Sequence, residues 1–183
     1  MRKPRLFGAL IFALPVALAV ATIAVAGDGG KSQFKADTLT GYQEVAGPGT
    51  ISTVGSGTFE ASLNGAGDEI SYTLTYGDLE GGTVTQAHIH FGARGFSGGV
   101  IAFLCGGAKP ACPASPATVT GTITAADIIG PAGQGIEAGS FDEAVRAIRA
   151  GATYANVHST RWPAGEIRGQ IRDHDAGDHR PSR

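Results

Sequence analysis

The chain has 183 residues, enough for one well-buried core and too few for two ordinary ones. Charged residues make up 16%, against roughly 25% in an average soluble protein, and the formal net charge is −2, so no basic surface points to nucleic acid as a partner. The 29 glycines follow no period and predict tight turns between many short strands.

The N-terminal segment begins with Arg2, Lys3 and Arg5, continues as an apolar run over residues 6–25 and ends in Ala24, Val25 and Ala26. This layout predicts a secretory signal peptide over residues 1–26, cleaved after Ala26, and a mature protein that is secreted, periplasmic or held at the cell envelope. The run is also long enough to span a bilayer. A retained anchor is therefore the alternative, and it would be the chain's only contact with a membrane. Pro15 interrupts the run and the small-residue site is well placed, which favours cleavage.

Next come "SQFKADTL" (32–39) and "GTFEASL" (57–63), the second with Phe59, Ala61 and Leu63 on one face. "NGAGDE" turns into "ISYTLTY" (70–76), whose strict alternation predicts a hairpin. "VTQAHIHF" (84–91), "GVIAFL" (99–104) and "ATVTGTI" (117–123) are short, β-branched and bounded by Gly or Pro. Cys105 and Cys112 bracket "GGAKPA", and in an exported chain two such cysteines are expected to form a disulfide; a two-cysteine metal site is the weaker reading.

A short turn is expected over residues 124–130. A helix follows, with Ser140 and Glu143 at capping-box spacing, an apolar stripe of Ala144, Val145 and Ile148, and Gly151 as its stop. "TYANVH" (153–158) and "GEIRGQIR" (165–172) complete about eight strands. The expected fold is all-β, a Greek-key-like sandwich or barrel with one short helix before the last two strands. The folded domain is placed at residues 32–172. The polar segment 173–183 is expected to be a disordered tail, with Asp173, His174, Asp175, Asp178 and His179 at most weak chelators.

Chemistry concentrates on three strands. In "VTQAHIHF" the period of two sets Ala87, Ile89 and Phe91 against Gln86, His88 and His90. The apolar set takes the core, so both histidines are expected on the opposite, wet side. The same alternation groups Tyr154, Asn156 and His158 in one strand and Glu166, Arg168 and Gln170 in the last. His88, His90 and His158 would form a three-nitrogen set suited to copper or zinc, with Glu166, Arg168 and Asn156 supporting it from behind. Alternatively, the histidines hydrogen-bond to neighbours such as Glu166, and Glu166 and Arg168 form a minor surface ion pair. A serine nucleophile has no support, since no G-x-S-x-G elbow is present. "GARGFSGG" is not a phosphate loop, because it lies between strands and lacks Lys-Ser/Thr; its glycines are expected to bring backbone close to the site.

The blocks "LTGYQEV" (39–45), "GSGTFEASL" (55–63), "AHIHFGARGFSGGVIAFL" (87–104) and "YANVHSTRWPAGEIRGQI" (154–171) resemble, in order, the CHRD domain found in chordin and in exported bacterial proteins. The resemblance implies a β-sandwich extracellular module without a general biochemical activity. One departure is "EVAGPG", where the family often has proline directly after Glu-Val. The cysteine-rich repeats that accompany the module in chordin have no counterpart here, so growth-factor antagonism does not carry over. The order of motifs is also loosely similar to copper/zinc superoxide dismutase: an H-x-H strand, a glycine-rich segment, a distant histidine and a late arginine. No histidine lies between His90 and His158, so that likeness implies at most a copper-only, three-histidine site.

Two functions follow from these readings. One is an exported metal-binding domain, with copper before zinc as the ion and Arg168 placed to guide a small anion. The other is a non-enzymatic binding or adhesion module for an extracellular or envelope ligand, its histidines forming a structural hydrogen-bond network.

Overall fold

The structure is a computed structural model that describes residues 32–45 and 47–174. The signal peptide expected over residues 1–26 and the tail from residue 175 onward lie outside the described residues. Among those described, no helix is long and apolar enough to cross a membrane.

Eight strands form one sheet: β1 (Gln33–Thr40), β2 (Ser56–Leu63), β3 (Ile70–Gly77), β4 (Val84–Phe91), β5 (Val100–Cys105), β6 (Ala117–Ile123), β7 (Thr153–Ser159) and β8 (Ile167–Asp173). The β4 and β6 boundaries coincide with those expected from alternation, and the others shift by one or two residues. β8 also carries the ladder past the expected domain edge at residue 172, because Asp173 pairs with Phe34 and the His174 amide donates to Gln33 O at 2.8 Å.

The strand order is β5-β4-β7-β8-β1-β2-β3-β6, antiparallel at every pairing. The sheet curls into a nearly closed barrel. Its two end strands, β5 and β6, approach without pairing, and Tyr72 Oη donates to Leu104 O at 2.7 Å across the gap. The Cys105–Cys112 disulfide closes the loop beside this seam. The alternating apolar residues fill the interior, with Phe34, Phe59, Leu74, Ile89, Leu104 and Ile167 among the most buried. Burying each such side chain contributes ~1.5–3 kcal/mol, which makes the barrel interior the main source of stability.

Among the described residues one α-helix, α1 (Phe141–Arg149), precedes β7 and turns Ala144, Val145 and Ile148 inward, as their spacing predicts. Gly151 follows it with φ +65, the left-handed conformation that ends helices readily. The expected capping box does not form: Ser140 makes no side-chain cap bond, and Glu143 instead pairs with Arg146 one turn along the exposed face. The first-turn acids Asp142 and Glu143 still complement the helix dipole. The turn expected over residues 124–130 is present as a 3-10 turn, Ala125–Asp127, where the Asp127 carboxylate accepts the Thr124 amide at 2.9 Å.

Candidate metal centre

β4 and β7 lie side by side, with His88 opposite Asn156, His90 opposite Tyr154 and Gln86 opposite His158. His158 is therefore diagonal to His88 on the same face, within reach of a ring-sized side chain. The β4–β5 register shifts on both sides of His88, an irregularity of the kind that re-aims side chains beside functional sites. One nitrogen from each of His88, His90 and His158 falls within 4.8 Å of one from each of the others.

The wet face expected for these histidines is instead a second, polar interior. His88, His90 and His158 are only 3%, 8% and 4% exposed. Alternation assigned them correctly to the side away from the barrel core but could not foresee what covers that side. Part of the cover is the segment between β4 and β5, which folds back so that Gly98 O meets His90 Nδ1 at 2.9 Å and the Gly98 amide donates to Tyr154 Oη. A Cβ at Gly98 would sit 1.6 Å from Phe91 O, so only glycine allows this approach. The turn after β7 supplies Pro163 O, 3.0 Å from His158 Nδ1.

Those two carbonyls fix two tautomers. A carbonyl only accepts, so His90 and His158 each carry the proton on Nδ1 and present a bare Nε2 lone pair. His88 Nδ1 lies 3.0 Å from His158 Nε2 and donates to it, leaving His88 Nε2 bare as well. His88 Nε2 and His90 Nε2 are buried without a partner among the described residues. An unsatisfied buried acceptor costs on the order of 1–3 kcal/mol, and two rings of the cluster each carry one.

Burial also keeps the rings neutral. It pulls the His88 pKa down to about 3, with the nearby His158 and His90 adding to the effect. Burial likewise pulls His90 down to about 4, against the opposing Gly98 hydrogen bond, and lowers His158 against its bond to Pro163. Neutral imidazoles are the ligand form. Ligands bonded to one ion at ~2.0–2.1 Å stand roughly 3 Å apart when adjacent and about 4.2 Å apart when opposed. The His88–His158 separation fits, while the widest pair must close by about half an ångström. Moving the His88 proton from Nδ1 to Nε2 converts that ring from hydrogen-bond donor to ligand.

The other expected site residues divide. Arg168 stays close: its guanidinium lies 3.4 Å over the Tyr154 ring, and that ring stacks on His90 at 4.8 Å. Arg168 is 2% exposed and donates Nη2–H to Ala93 O at 3.1 Å. The surface ion pair with Glu166 expected on the alternative reading is absent among the described residues. Glu166, fully buried, does not hydrogen-bond to the histidines either. Its carboxylate accepts the Glu80 and Gly81 amides and the Thr53 hydroxyl, tying two loops together. Asn156 donates to Glu44 Oε1 at 2.6 Å and to Ile167 O at 2.9 Å, so it supports β8 and the segment after β1.

Sequence reasoning missed Glu44 and Phe103 as part of this region. Burial pushes the Glu44 carboxyl up to about 7, against the Asn156 hydrogen bond and the Arg168 charge. Phe103 packs edge-on against His88 at 4.4 Å. Alternation already groups Tyr154 with Asn156 and His158; Glu44 lies within "LTGYQEV" with nothing to mark its burial.

The family model described as CHRD domain matches residues 36–171. No curated protein and no solved structure matches the chain.

Proposed function

The chain belongs to the CHRD domain family, and we propose that it acts as an exported domain holding a transition-metal ion through His88, His90 and His158. The observation carrying this reading is the convergence of three buried imidazoles, each offering one nitrogen within 4.8 Å of the others. Copper is the first choice. Imidazole suits copper and zinc alike, no thiolate or carboxylate joins the cluster among the described residues, and nitrogen sites generally hold Cu2+ more tightly than Zn2+. When bound, copper would supply redox or Lewis-acid chemistry. The chain's own part is to keep the rings neutral, orient two of them by backbone carbonyls and exclude bulk water. Export, with cleavage after Ala26, belongs to the same proposal and is supported by the Cys105–Cys112 disulfide.

Metal analysis tests this reading on untagged protein challenged with copper and with zinc, beside a His88→Ala/His158→Ala variant. One tightly held ion per chain, lost in the variant, is expected. Substoichiometric metal that the variant leaves unchanged would sink the proposal.

The 3.0 Å His88–His158 contact favours a second reading, since it is already a good hydrogen bond without an ion. In that case the domain is a non-enzymatic extracellular binding or adhesion module, and the histidines brace β4 against β7. Metal analysis together with urea unfolding of the same two proteins separates the readings, because a brace would lose stability in the variant while neither protein retains metal.

A further inference from the structure

Beside the histidine cluster, a cleft of 290 Å3 opens between the segment following β1 and the turn following β4. Its walls include Tyr42 and Glu44 on one side and Arg94 on the other, with Arg168 and Gln170 of β8 between them. Two features single it out. Arg168 is a cation almost wholly removed from water; the one side-chain hydrogen bond of its guanidinium among the described residues goes to Ala93 O, and a guanidinium has five donors. Tyr42, by contrast, is 67% exposed at the same cleft, an aromatic face with nothing packed over most of it.

Arg94 and Arg168 sit near enough for their charges to act on one another. Two guanidiniums face one carboxylate, Glu44, whose Oε1 is already taken by Asn156. The cleft therefore carries a local positive excess on a chain whose net charge is −2. A guanidinium pair is suited to gripping a planar carboxylate through paired hydrogen bonds. The exposed tyrosine offers a flat apolar surface for a ring. The volume lies at the low end of the ~300–1,000 Å3 typical of ligand sites, which limits the occupant to about one ring.

We propose that this cleft binds a small ring-bearing carboxylate, with its oxygens on Arg168 and Arg94 and its ring against Tyr42. The site does not depend on a metal. A ligand held there would lie one aromatic ring away from His90, since Arg168 covers one face of Tyr154 and His90 the other.

The test is a titration of the full chain, isotope-labelled and stripped of metal, followed by amide resonances. The probes are benzoate and glucuronate, their uncharged counterparts benzyl alcohol and glucose, and inorganic phosphate. Saturable shifts at residues 42–45, 94–95 and 168–170 are expected with at least one ring carboxylate. Its uncharged counterpart should bind at least tenfold more weakly. Arg94→Gln and Tyr42→Ala, both at exposed positions, should each weaken binding about fivefold or more while leaving the rest of the spectrum unchanged. The benzoate and glucuronate arms separate an aromatic from a sugar acid. Failure of both to saturate, equal binding of the uncharged counterparts, or phosphate binding as tightly would overturn the assignment.

Discussion

His88 Nδ1 lies 3.0 Å from His158 Nε2, although the two residues are 70 positions apart and sit on diagonal rather than opposed positions of β4 and β7. The contact closes a cluster in which His90 stands 5.2 Å from the His88 ring and 5.8 Å from that of His158. Everything that holds these rings in place is backbone carbonyl or packed ring, so the cluster is as rigid as the loops that cover it.

Acidification should therefore destabilise the metal-free protein. The three histidines have folded pKa values below the ordinary ~6.5, so the unfolded chain binds more protons, and stability falls as pH drops from about 6.5 toward the folded values. Glu44 works the other way: its folded pKa of about 7 gives stability that grows on acidification through the same range until its unfolded pKa is passed. Three groups outweigh one. Between pH 7 and 5 His88 and His90 each contribute a loss of ~2 kcal/mol, at 1.36 kcal/mol per unit, and His158 acts in the same direction. Urea unfolding at the two pH values measures this, and equal midpoints would contradict the neutral, buried state of the rings.

Substituting Gly98→Ala should loosen the site without touching a ring nitrogen. The added methyl collides with Phe91 O, so the turn must move and His90 loses the carbonyl that orients it. Loss of such an orienting partner typically lowers metal affinity 10–100-fold. A competition titration with a copper chelator on the folded variant reads the change, and unchanged affinity would show that Gly98 does not set the ligand geometry.

Glu166→Gln separates architecture from ligand support. The carboxylate receives two backbone amides and a hydroxyl inside the protein, and an amide cannot accept all of them. A loss of ~2–4 kcal/mol is expected by chemical denaturation. Metal bound per folded molecule should stay the same, because no histidine hydrogen-bonds to Glu166 among the described residues. A drop in stoichiometry with stability intact would reverse that assignment.

Removing the disulfide with Cys105→Ala/Cys112→Ala should cost ~2.5 kcal/mol, the loop-entropy value for so short a closed loop. The barrel interior remains, so the variant should still fold. Thermal melts of wild type and variant under non-reducing conditions provide the comparison, and an unfolded variant would mean that the staple carries the fold.

The strands were legible because their signal is local. In β4 the residues from Val84 to Phe91 alternate cleanly enough that both ends and the facing of His88 and His90 follow from period two alone. The covering of the second face was not legible. Every residue of β7 is buried, yet "TYANVHS" reads as half exposed, because the loops that lie over Asn156 and His158 come from distant parts of the chain. Glu166 illustrates the same limit: its partners Thr53 and Glu80 are 113 and 86 positions away. Ser140 shows the reverse, a local motif whose side chain the finished fold leaves uncommitted.

The pairing of β4 with β7 also sets an order of events. An unfolded chain carries only the two histidines of one strand near each other, and the third arrives once two strands distant in sequence have found their register. Any ion held by all three is thus a passenger that boards after assembly, at whatever place the chain first folds. The supply of metal in that compartment, rather than in the one where the chain is made, would decide what the pocket carries.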